Sequence, residues 1–147
     1  MNQDFVEMLA ALSEAGAEFL IVGAHAMAAY AEPRATGDLD IWVRPTPENA
    51  ARVWAALTEF GAPLQDITEA DLSTSDVVFQ IGVVPNRVDI LTAIEAVEFD
   101  AAWANRTSVE VMGLKVSLIG RDELIRNKRA LGRAQDLADV EALEAGR

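Results

Sequence analysis

Apolar and polar positions along the chain follow two rhythms, and the changes between them mark its helices and strands. Phe5, Met8, Leu9 and Leu12 recur at three- and four-residue spacing, which predicts an amphipathic helix from Asn2 to Ala15 that Gly16 ends. Glu18 to Val22 is a short apolar run, the pattern of a buried strand. Gly23 follows directly, and the alanine-rich stretch from Ala24 to Ala31 predicts a second helix. Glu32 to Gly37 reads as a loop from its Pro and Gly. From Asp38 to Val43 the chain then alternates: Leu39, Ile41 and Val43 point to one face of a strand, Asp38, Asp40 and Trp42 to the other.

The rhythm changes again after Pro45. Thr46 is a candidate N-cap, and Ala50, Val53, Trp54 and Leu57 form an apolar helical stripe closed by Gly61 and Pro63. Gln65 to Asp76 is polar and aperiodic and reads as a mobile loop. Val77–Val83 and Arg87–Leu91 form a hairpin turning at Pro85-Asn86. Glu95 to Asn105 is expected to be helical. Val109–Gly113 and Leu114–Ile119 predict a second hairpin, turning at Gly113. Arg121–Leu131 and Gln135–Ala145 read as helices, interrupted at Gly132-Arg133. The fold class that follows is α/β: a short mixed sheet, flanking helices and a C-terminal helical tail, in one domain spanning 1–147.

Composition narrows the function classes. At 147 residues, 51% apolar and 24% charged, the chain suits a globular domain with a proper core. No apolar run is long enough to span a bilayer, and the first residues lack the basic start of a signal peptide. The absence of cysteine excludes disulfides, thiolate metal sites and a thiol nucleophile, and fits a reducing compartment. A cytoplasmic location is the expectation. The net charge of −12 argues against a general nucleic-acid binder. Arg121, Arg126, Lys128, Arg129 and Arg133 nevertheless fall in one stretch, which is either a solvated helix face or a local polyanion site.

Candidate chemistry gathers on acidic residues. Asp38 and Asp40, two apart on one strand face, lie close enough to share a divalent cation, and carboxylates are hard ligands that suit Mg²⁺. The plainer reading is a turn Asp and an edge-strand Asp, both solvated. Asp89 stands among Val88, Ile90 and Leu91, where a buried carboxylate needs a partner. A metal held by Asp38 and Asp40 would supply one; an exposed position on a one-sided strand would need none. Gly23 joins strand to helix, where backbone N–H groups and the helix dipole can seat a phosphate, or where a tight turn simply needs a small residue. His25, the only histidine, reads as packed or capping, because it lacks a second ligand. Arg34 either reaches a phosphate or pairs with a nearby Asp.

Taken together, Gly23 at the strand end, the Asp38-x-Asp40 pair and the later Asp89 resemble the minimal nucleotidyltransferases of the DNA polymerase β superfamily. The stretch from Asn127 to Asp139 is similar to the tail of a bacterial branch whose members are uncharacterised or linked to toxin–antitoxin pairs. The resemblance runs from about Phe19 to Leu143. It implies transfer of a nucleoside monophosphate from an NTP such as ATP to an acceptor hydroxyl, with release of pyrophosphate. Asp38, Asp40 and Asp89 would be the catalytic and metal-binding residues, with Mg²⁺ or Mn²⁺ as the cofactor. Gly23, Ala24, Arg34, Lys128 and Arg133 would bind the nucleotide. The acidic surface favours a protein hydroxyl or a small molecule over RNA as acceptor, and the branch implies a cognate toxin or antitoxin partner. Ala24 departs from the family, which has Gly or Ser there, and offers no hydroxyl. The alternative is therefore a degenerate relative that binds a nucleotide or a partner without chemistry.

Overall fold

The computed structural model describes residues 1–31 and 37–146. Helix α1 (Gln3–Glu14) starts where the Asn2 side chain accepts a hydrogen bond from the Phe5 N–H, so the cap sits one residue before the helix and three before the first residue of the apolar stripe. Strand β1 (Phe19–Val22) follows, then the short helix α2 (Gly23–Met27), strand β2 (Asp38–Val43) and helix α3 (Pro47–Phe60). Thr46 caps α3 through its side chain, and Gly61 ends it in the left-handed region at φ 88°. Strands β3 (Val78–Ile81) and β4 (Arg87–Leu91), helix α4 (Phe99–Ala104), strands β5 (Thr107–Val111) and β6 (Leu114–Leu118), and helices α5 (Arg121–Leu131) and α6 (Ala134–Ala145) complete the order.

The six strands form one mixed sheet in the order β3-β4-β2-β1-β6-β5. β1 runs antiparallel to β2 and parallel to β6, while β2 runs parallel to β4. Both predicted hairpins are present, β3 with β4 and β5 with β6. The alternation in β2 decides how the layers pack. Leu39, Ile41 and Val43 bury against Leu9, Leu12, Val53 and Leu57 of α1 and α3. Trp42, on the opposite face, joins Leu20, Val22, Phe99, Leu124, Val140 and Leu143 in a second core under α4, α5 and α6. The tail helices thus cover one side of the sheet, and the acids of β2 stand on that side, at the end where the cover stops.

Three predicted segments differ. The helix expected over Glu95–Asn105 begins only at Phe99. Before it, Ile94 and Val97 form an isolated antiparallel bridge, and Ala96 takes φ 67°, which no α-helix accommodates. The helix expected to reach Ala31 ends at Met27. The stretch Gln65–Asp76 is anchored, not loose. It carries a 3₁₀ turn (Glu69–Ser73) closed by a reciprocal Thr68–Asp71 capping box, and Ile67 and Leu72 are buried in the first core.

Candidate active site

Parallel pairing of β2 with β4 sets the site. The register places Asp38 beside Arg87 and Asp40 beside Asp89, so four charged side chains leave one sheet face as a two-by-two block. One carboxylate oxygen from each of Asp38, Asp40 and Asp89 lies within 4.8 Å of those of the other two. Asp89 is only 7% exposed. The three acids predicted to converge do so, and a set of three hard oxygen donors at this spacing fits a divalent cation.

At Asp40, burial and the cluster's negative charge outweigh the pull of Arg87. Asp40 is pushed up to about 7, first by burial, then by the charges of Asp38 and Asp89 and a hydrogen bond with Asp89; Arg87 pulls it the other way. Near neutral pH, without a cation, the Asp40 carboxyl is therefore protonated for part of the time. Arg87 is the one cation inside the block. Its Nη2 donates to Asp38 Oδ2 at 2.7 Å and its Nε to Asp89 Oδ1 at 3.0 Å. Bonds to both carboxylates raise the guanidinium pKa further. Arg87 is the functional candidate that sequence reading missed. The signal was present, since Arg87-x-Asp89 repeats the two-residue spacing of Asp38-x-Asp40.

Gly23 meets the cluster from β1. It takes φ 68°, and a Cβ there would overlap Asp40 Oδ2. Glycine at this position permits both the left-handed turn and the close approach of the carboxylate. Ala24 follows it at the edge of the same cleft. Because α2 is only five residues long, it has little macrodipole, and whatever it offers an anion is local N–H groups. His25 is packed, as expected: its ring meets Phe5 edge-on at 5.4 Å, and burial lowers its pKa against the pull of Asp38. Its Nε2 is buried without a hydrogen-bond partner among the described residues. Arg34 lies outside the described residues.

An open cleft of about 680 Å³ runs from Gly23 and the acids to the tail helices. Lys128 and Arg133 line its far wall, but both are engaged there. Lys128, 4% exposed, donates to Asp139 Oδ2 at 2.9 Å and lies 3.8 Å from Asp136. Arg133 donates from Nε to Asp136 Oδ2 at 2.6 Å, and this bond, with the charge of Lys128 nearby, lowers the Asp136 pKa against the opposing effect of burial. Lys128 is thus a buried tie between α5 and α6, whereas the Arg133 side chain stays largely exposed and feels the charge of Asp40. No described helix is long and apolar enough to cross a membrane.

No family model matches the chain, and no curated protein matches it. Among solved structures, it is similar to a crystal structure from Thermotoga maritima described as a "putative nucleotidyltransferase". The TM-score is 0.61 at 15% identity, covering 97% of this chain and 91% of the other. At that identity the likeness shows the fold alone, and the fold is nucleotidyltransferase-like.

Proposed function

We propose that this protein is a metal-dependent nucleotidyltransferase, moving a nucleoside monophosphate from an NTP to an acceptor hydroxyl. The observation that carries the reading is the convergence of Asp38, Asp40 and Asp89 from two strands on one open cleft, in a fold of this type. In the transfer, the acceptor oxygen forms a bond to the α-phosphorus, the bond to the pyrophosphate oxygen breaks, and the hydroxyl proton leaves for a carboxylate. Asp89, adjacent to Asp40, is the base in this reading. Asp38, Asp40 and Asp89 would hold Mg²⁺ or Mn²⁺, which stabilises charge on the attacking and leaving oxygens. Gly23 and Ala24 bring backbone N–H groups to the cleft edge for phosphate oxygens, and Arg133 adds positive charge from the opposite wall.

The acceptor we infer is a protein hydroxyl or a small molecule. Among the described residues, the cleft is lined by Asp38, Asp40, Asp76, Asp89, Glu95 and Asp136 against only Arg87, Lys128 and Arg133. A polyanionic RNA would be repelled by that balance. The similarity of the tail suggests work within a toxin–antitoxin pair, which a small partner gene beside this one would support. The second reading, a nucleotide binder without chemistry, draws on Ala24 and on the hold that Arg87 has on two of the three acids.

The test is label transfer from each of the four α-labelled NTPs into a cell lysate, with Mg²⁺ or Mn²⁺. Transfer by the parent protein that is lost in Asp38→Asn and Asp40→Asn supports the enzyme. Undiminished transfer by both variants refutes the site. Metal-dependent NTP binding without transfer selects the second reading.

A further inference from the structure

Arg87 occupies the ground that a cation between the acids must contest. It bridges strands, reaching Asp38 on β2 and Asp89 on its own strand, and its Nη2 also lies 3.3 Å from Asp89 Oδ2. A guanidinium bonded to two carboxylates gives up strong, oriented, charge-assisted hydrogen bonds if a metal takes the same oxygens. The side chain is nevertheless 30% exposed and lines the cleft, so its head has open space beside it. Moved toward that space, it would face the region where the proposed nucleotide's phosphates lie. A cation arriving alone would compete with Arg87 for the oxygens of Asp38 and Asp89 and offer the guanidinium nothing in return. A cation arriving with a triphosphate gives Arg87 new oxygens to bind.

We propose that Arg87 is an internal counter-ion that couples metal and nucleotide, so that the site takes the cation well only together with a polyphosphate. This rests on the nucleotidyltransferase reading of the same site and concerns its regulation. It makes Arg87 a positioning residue for the acids in the free protein and a phosphate ligand in the loaded one. By linkage, the nucleotide must tighten metal binding by the same factor as the metal tightens nucleotide binding.

The experiment is calorimetric titration of Mn²⁺ into the parent, Arg87→Met and Arg87→Lys, each with and without a non-hydrolysable NTP analogue. The parent should bind Mn²⁺ weakly alone and at least about tenfold more tightly with the analogue, as a coupling near 1.4 kcal/mol gives. Arg87→Met should bind Mn²⁺ alone more tightly than the parent and lose most of the enhancement by the analogue. Arg87→Lys, which keeps the charge but not the fork, should fall between. Thermal melting with and without Mn²⁺ provides a second readout if Arg87→Met is poorly folded without metal: Mn²⁺ should raise its melting temperature more than the parent's. If Mn²⁺ alone binds and stabilises Arg87→Met no better than the parent, the coupling role is overturned while the transferase reading stands. If neither protein binds Mn²⁺ or the analogue in any combination, both fall.

Discussion

Two groups of charged side chains face the same cleft, and they are built on opposite principles. On β2 and β4, three carboxylates cluster with Arg87 among the described residues, and Asp40 is driven to about 7 by burial and by the charges of the other two. Between α5 and α6, Asp136 and Asp139 meet Lys128 and Arg133, with Gln135 donating to Asp139 at 2.9 Å, and the Asp136 pKa goes down. In the second group Lys128, Asp136 and Asp139 are buried and paired, as a structural tie must be. In the first, burial and the neighbouring carboxylates outweigh Arg87 at Asp40, and the group faces open space. Three acids gathered at an open cleft, one of them driven up in pKa by the other two, can take a cation from outside, and that contrast separates a candidate site from an ion pair that merely borders it.

The contrast can be broken by substitution. The largest effect belongs to Asp40→Asn, which should reduce nucleotidyl transfer by about 10²–10⁴-fold. Its melting temperature should stay level or rise, because the change relieves repulsion. Lys128→Met should do the reverse. It removes the buried ammonium that faces two buried carboxylates and should destabilise the fold by about 3–5 kcal/mol in denaturant titration. Equal destabilisation by the two variants would erase the distinction.

Gly23→Ala comes next. It forces a side chain into the left-handed region and against Asp40 Oδ2, with an expected stability loss of about 1–3 kcal/mol and weakened metal binding. A melting curve and metal titration like the parent's would show that the contact with Asp40 does not matter.

The pH response sharpens the comparison from another side. The Asp40 carboxyl titrates near 7 in the fold and at its ordinary 3.8 when unfolded. Between those values the native state therefore binds the extra proton. Metal-free stability should rise as pH falls through 7, and be lost again as pH climbs. A bound cation must displace that proton, so its affinity should drop below pH 7 by up to about tenfold per unit. A flat affinity between pH 5 and 8 would contradict this. The smallest effect is that of Arg133→Gln, whose side chain is largely exposed. KM for the nucleotide should rise severalfold with kcat little changed, and the melting temperature should move far less than in Lys128→Met.

Much of this was legible because strands write their faces with a period of two. Alternation placed Asp38 and Asp40 together, and apolar neighbours marked Asp89 as an acid in need of a partner. Their meeting depends on the parallel register of β2 and β4, which no local pattern encodes. Arg87 obeyed the same alternation but stood next to a turn, where an arginine looks merely solvated. Lys128 was read within a basic stretch. Its partners lie eight and eleven residues on, and reach it only because Gly132, at φ 69°, lets α6 turn back along α5. The premature helix over Glu95–Asn105 failed at Ala96, a residue whose composition gives no hint of a positive φ.

The strand order also bears on how the chain is made. β4 sits between β2 and β3, yet it leaves the ribosome after both. Until it emerges, β2 presents an open edge bearing Asp38 and Asp40. Charges on an unpaired edge discourage sticking to other nascent chains. The acids would thus protect the growing polypeptide before Asp89 arrives to complete their cluster.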